Sequence, residues 1–102
     1  MHLVDWSIFQ HKDPIQGMTR VLNTLNRRVK RHKKTIPVKL FAECVYNIVV
    51  YRTYAYNMKS SKKIIGLLDV MKDLRANLLS KTVKTSKGWV PQYYMKSLEK
   101  FS

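Results

Sequence analysis

The sequence predicts a mostly α-helical protein: a small three-helix bundle with an extended N-terminal arm and a basic, aromatic C-terminal arm ending in a short helix. Three observations carry that prediction. Apolar residues recur at helical spacing in three separate stretches, with proline, serine or asparagine near the breaks. Those breaks are only a few residues long, so consecutive helices should run antiparallel. At 102 residues there is room for one modest core and not two. The expected division is an arm over 1–12, the bundle over 13–79 and a second arm over 80–102.

Residues 1–12 carry Leu3, Val4, Trp6, Ile8 and Phe9 with no sustained period. They read as an extended arm or a short turn of helix, with aromatics that dock on a partner or cover one end of the protein's own core. Asp13-Pro14 is a helix start, an N-cap acceptor followed by proline at the first helical position. Ile15, Met18, Val21, Leu22, Leu25 and Val29 then recur at helical spacing, predicting a helix to about Lys33, roughly 30 Å long.

Thr35-Ile36-Pro37 breaks that helix and restarts another, with Thr35 as the cap. The second helix should turn Leu40, Phe41, Cys44, Val45, Ile48, Val49 and Ala55 inward, and Lys39, Glu43 and Asn47 outward. Val45 to Tyr51 also has strand propensity, and a strand is the rival reading there. Asn57 to Ser61 is a turn, with Ser60 or Ser61 capping a third helix. Its stripe of Ile64, Leu67, Leu68, Met71, Leu74, Leu78 and Leu79 is the clearest in the chain. Gly66 within it costs about 1 kcal/mol relative to alanine and marks a close helix crossing or nothing at all.

From Ser80 the pattern stops. Lys81, Lys84 and Lys87 follow at intervals of three, then Gly88 and Trp89. Val90-Pro91 opens a short terminal helix carrying Tyr93, Tyr94, Met95, Leu98 and Phe101. Over 80–89 only Val83 and Trp89 are bulky and apolar, contributing about 2 kcal/mol each if buried. Ordering the backbone costs about 1–2 kcal/mol per residue. The arm should therefore order on a partner and make few contacts with its own bundle.

The charge balance bounds the partner. A formal net charge of +14, from 20 Lys plus Arg against 6 Asp plus Glu, surrounds a chain that is 45% hydrophobic. Such a chain has a core and a nearly all-cationic shell, for which nucleic acid is the commonest partner and anionic lipid the next. The densest block, Arg27 to Lys34, reads RRVKRHKK and contributes Arg27, Arg28, Lys30, Arg31, Lys33 and Lys34. It falls at the end of the first helix, where cations also complement the negative end of the macrodipole. Lys59, Lys62 and Lys63 form a second patch at the start of the third helix, where backbone amides favour phosphate. Lys81, Lys84 and Lys87, with Trp89, form a third. Tyr51, Tyr54, Tyr56, Tyr93 and Tyr94 interleave with these patches, a mixture suited to unpaired RNA bases that stack on rings while cations hold phosphates.

Enzyme chemistry is not indicated. Cys44 stands alone, so no disulfide or cysteine zinc pair can form within the chain, and it falls on the presumed core face. His2, His11 and His32 lack partners for a triad, and Asp69 and Asp73 read as a solvated face offset by Lys72. Three glycines cannot build a phosphate loop. Neither a secretory signal nor an Arg-rich transit peptide is expected from MHLVDWSIFQ. The longest apolar run, around Val38 to Tyr56, is interrupted by Lys39, Glu43, Asn47 and Arg52 and does not read as a membrane span. No zipper, finger, helix-turn-helix or RNA-recognition motif is present. In composition the chain is similar to many ribosomal proteins, a likeness of kind and not of motif.

The resulting expectation is a structural RNA-binding component of a ribonucleoprotein, a ribosomal protein contacting rRNA, without cofactor or catalysis. Its compartment would be the mitochondrial matrix or another ribosome-containing space. The competing class is a basic accessory subunit of a respiratory-chain or ATP-synthase membrane complex, with its cationic face against anionic lipid or acidic subunits. A DNA-compacting protein is the third.

Overall fold

Asp13 and Pro14 start the first helix as their chemistry dictates. In the structure, a computed structural model describing residues 4–57 and 62–84, the Gln16 N–H donates to Asp13 Oδ1 at 3.1 Å. Helix α1 (Pro14–Arg31) buries Ile15, Met18, Leu22, Leu25 and Val29 on one face. It ends two residues before the expected Lys33, where His32 turns extended and its N–H closes on the Val29 carbonyl.

The break that follows is built differently from the expectation. Thr35 does not cap a helix; Thr35–Pro37 forms a short strand, β1, with Ile36 fully buried. Helix α2 (Val38–Tyr56) begins directly after it, with Pro37 at its N-cap and no side-chain cap bond. The rival strand over 45–51 is excluded, since the whole stretch lies inside α2. Of the polar line expected to face outward, Lys39 is exposed, Glu43 half-buried and Asn47 buried. At 3.6 residues per turn, each four-residue step advances about 40° around the helix, so the line rotates inward along its length. Asn47 meets this burial by donating its side-chain amide to the Glu43 carbonyl at 2.6 Å.

Helix α3 (Lys62–Leu79) buries Ile64, Leu67, Met71, Leu74 and Leu78, whereas Leu68 and Leu79 flank the stripe and stay exposed. A Cβ at Gly66 would meet open space, so this glycine marks no close crossing. The caps assigned to Ser60 and Ser61 lie outside the described residues.

Consecutive helices are antiparallel, as short connections require, which leaves α1 and α3 parallel and packed chiefly on one another. The pairing is tied at three levels. Lys63 Nζ meets Asp13 Oδ2 at 2.8 Å where both helices start. Midway, Asn26 donates to Asp73 at 2.6 Å and accepts from Asn77 at 2.7 Å. Beyond their ends the Thr82 N–H donates to the Lys34 carbonyl at 2.9 Å. There the chain forms a second short strand, β2 (Thr82–Lys84), parallel to β1, with Thr35 opposite Thr82, Ile36 opposite Val83 and Pro37 opposite Lys84.

The start of the C-terminal arm is therefore not independent of the bundle. Val83 packs partly against the core, and backbone bonds to β1 hold the segment. Backbone bonds of this kind contribute about 0.5–1.5 kcal/mol each and offset part of the ordering cost of the segment. Everything expected of 85–102, the terminal helix included, lies outside the described residues.

At the other end, the first described residues take the second of their two readings. A 3-10 turn, Trp6–Gln10, is capped by Asp5, which accepts from the Ser7 N–H at 3.1 Å. Ile8 is buried, and the Phe9 ring sits edge-on to Tyr54 and Tyr51, with centroids 5.1 and 6.3 Å away. Gly17 admits this turn: a Cβ there would lie 3.3 Å from Ile8 Cδ1. Trp6 stacks on Phe9 but remains 55% exposed.

Two outcomes follow for stability. The Tyr51 hydroxyl is buried with no hydrogen-bond partner, and burial pushes its pKa up to about 12. Tyr51→Phe removes an unsatisfied polar group while keeping the ring, so thermal unfolding should occur at the same or higher temperature, by up to about 1 kcal/mol of stability. Hydrogen bonds from Ser7 hold the Asp5 carboxyl below its usual value, and the Lys63 ammonium and Gln16 N–H do so for Asp13. A depressed carboxylate pKa stabilises the fold above the unfolded-state value and loses that contribution as pH falls through the folded one. The melting temperature should thus hold between about pH 7 and 5 and drop below about pH 4, less steeply in Asp13→Ala.

Candidate nucleic-acid interface

The parallel register of α1 and α3 decides where the cationic segments meet. Arg27, Arg28, Lys30 and Arg31 occupy the last turns of α1, with Val29 between them pointing into the core. At about 100° per residue these four span an outward arc of roughly 160° opposite Val29. Lys33 and Lys34 lead into β1. Lys81 and Lys84 arrive beside them from α3 and β2, and Lys81 Nζ donates to the Lys33 carbonyl at 3.4 Å. The basic block and the described part of the third patch, Lys81 and Lys84, thus form one surface at one end of the bundle.

Lys39 belongs to the same surface and was missed in the sequence reading, which placed it only on the outward line of the second helix. It is exposed in the first turn of α2, immediately after β1. The available signal was connection length: a helix that restarts after a three-residue strand must start at the end where the previous helix stopped.

Few carboxylates answer these charges. Arg28 pairs with Glu43 at 3.3 Å across the α1–α2 joint, and Lys30 lies 3.8 Å from Asp73 across the α1–α3 joint. These pairs are partly or wholly solvated and contribute little to stability. Arg27 donates to the Thr24 hydroxyl at 3.2 Å. Among the described residues, Arg27, Arg31, Lys33, Lys34, Lys39, Lys81 and Lys84 have no ion-pair partner. Their mutual repulsion falls when a polyanion occupies the surface.

The patch at the start of α3 does not join them. Lys63 is drawn into its ion pair with Asp13, and Lys62 is exposed at the opposite end of the α1/α3 pair, roughly 27 Å away by helix rise. Lys59, Lys87 and Trp89 lie outside the described residues.

Among the described residues the aromatic interleaving does not extend to this surface either. Tyr51 is buried, Tyr54 packs against Phe9, and Tyr56, 73% exposed, holds the Arg52 guanidinium 5.2 Å above its ring. All three lie near the end of α2, beside the 3-10 turn and far from the cationic end. Tyr93 and Tyr94 are outside the described residues.

Burial pushes the Cys44 thiol up to about 12, so it stays protonated. Asp73 is engaged with Asn26 and Lys30, and among the described residues no three His, Cys, Asp or Glu side chains converge on a metal position. No described helix is long and apolar enough to cross a membrane.

Replacing Arg27, Arg31, Lys33 and Lys34 together by glutamine should leave the helical circular dichroism unchanged, because none of the four is ion-paired within the fold. Binding to a polyanion such as heparin, or to RNA, should lose affinity. The slope of log K against log salt should flatten by roughly 3, at about 0.7 for each phosphate no longer neutralised.

Comparison with protein-family models, with curated proteins and with solved structures returned no match to this chain.

Proposed function

We propose that the protein is a structural RNA-binding component of a ribonucleoprotein particle, and that the particle is a ribosome. The single observation that carries this reading is the cationic end of the bundle. There, two chain segments about 50 residues apart in sequence converge with most of their charge uncompensated. A surface of this kind holds phosphates by charge, independently of sequence, and lets RNA segments approach that would otherwise repel one another. The helical core serves as a rigid anchor for that surface, and no reaction is catalysed. The protein would reside in a ribosome-containing compartment, the mitochondrial matrix among them.

Sedimentation of tagged protein through a sucrose gradient, before and after RNase treatment of the lysate, tests this reading. The protein should travel with ribosomal subunits and move to the top of the gradient after RNase. Sedimentation that RNase leaves intact but detergent disperses would replace the RNA reading with attachment to a membrane complex.

A further inference from the structure

Resting on the RNA-binding reading, we infer that the cationic end of the bundle takes the phosphate backbone of double-helical RNA and not unpaired bases. A single-strand site needs exposed rings on which bases can stack beside the cations that hold their phosphates. The two are separated by the fold among the described residues. Among the described residues the exposed aromatics are Trp6, Tyr46 and Tyr56. Trp6 and Tyr56 lie at the far end of the bundle, and Tyr46 lies midway along α2. The ring nearest the cationic end among the described residues, Phe41 in the first turn of α2, is fully buried.

The described residues at that end present charge on a rigid frame. Arg27, Arg28, Lys30 and Arg31 are fixed on the last turns of a helix, and Lys84 on a strand paired with β1. Their spread around the α1 circumference lets them meet phosphates on more than one side, as the paired backbones of a duplex present them. A duplex keeps its phosphates in place, so binding it orders the Lys and Arg side chains but neither backbone. An unpaired strand would have to lose its conformational freedom without stacking in return. Recognition through shape and backbone, without base reading, is how proteins hold double-stranded RNA.

Fluorescence anisotropy with full-length protein at one salt concentration provides the test. The probes are a blunt RNA duplex of about 16 base pairs and an unstructured RNA strand carrying the same number of phosphates. The duplex should bind at least tenfold more tightly, regardless of its sequence. Equal or tighter binding of the unpaired strand overturns the assignment to duplex RNA while leaving RNA binding intact. A duplex preference that disappears in Trp89→Ala overturns it as well, by placing recognition on that ring. Failure to bind either probe removes the RNA-binding reading and this inference together.

Discussion

The parallel packing of α1 on α3 is the constraint on which the rest of the structure depends. Both helices are 18 residues long and start level, tied by Asp13 and Lys63, so they also finish level. Two chains leaving parallel helices at the same height travel side by side, which is why β1 and β2 pair in parallel register. The polar cluster of Asn26, Asp73 and Asn77 specifies this register more sharply than the apolar stripes can. Sliding α3 by one turn would keep hydrophobic contact but leave the buried Asn26 amide without its partners, at a cost of about 1–3 kcal/mol.

That register also accounts for the concentration of charge. The described carboxylates sit largely at joints: Asp5 and Asp13 at helix starts, Glu43 between α1 and α2, Asp73 between α1 and α3. Each is placed where it organises backbone or packing, and none neutralises the cations of the turn after α1. Level helix ends bring the residues after α3 against the residues after α1, so the least compensated parts of the chain come together. The repulsion this creates is tolerated because the end is solvated and because Ile36 and Val83 anchor the two strands in the core beneath it.

The aromatic residues show the complementary arrangement. Phe9, Tyr51 and Tyr54 close the end of the core opposite the charge, with the 3-10 turn folded over them. Large rings there cover the apolar interior at the open end of a short bundle, a role that small side chains could not fill. Among the described residues one end of the bundle is closed by rings and the other by a two-stranded ladder bearing cations, so aromatic packing and unpaired charge fall at opposite ends.

The sequence by itself determined the helices and the inward face of each, because helical periodicity and an Asp-Pro start are local signals that any core must satisfy. Ile15, Met18, Leu22, Leu25 and Val29 in the first helix, and Ile64, Leu67, Met71, Leu74 and Leu78 in the third, are legible from spacing alone. So was the dense basic block. Tertiary structure alone decided what became of residues with two uses. Asn47 and Tyr51 lie on a line that begins in solvent and turns inward, which depends on how much of α2 its neighbours enclose. Thr35 and Thr82 carry no strand signal, since three residues are too few for a period and their pairing partners lie 47 residues apart. The convergence of Lys33 with Lys81, and the distance of both from Tyr56, arise from helix length and register across the fold. Such relations are properties of the packed bundle and are not written in any local window of its chain.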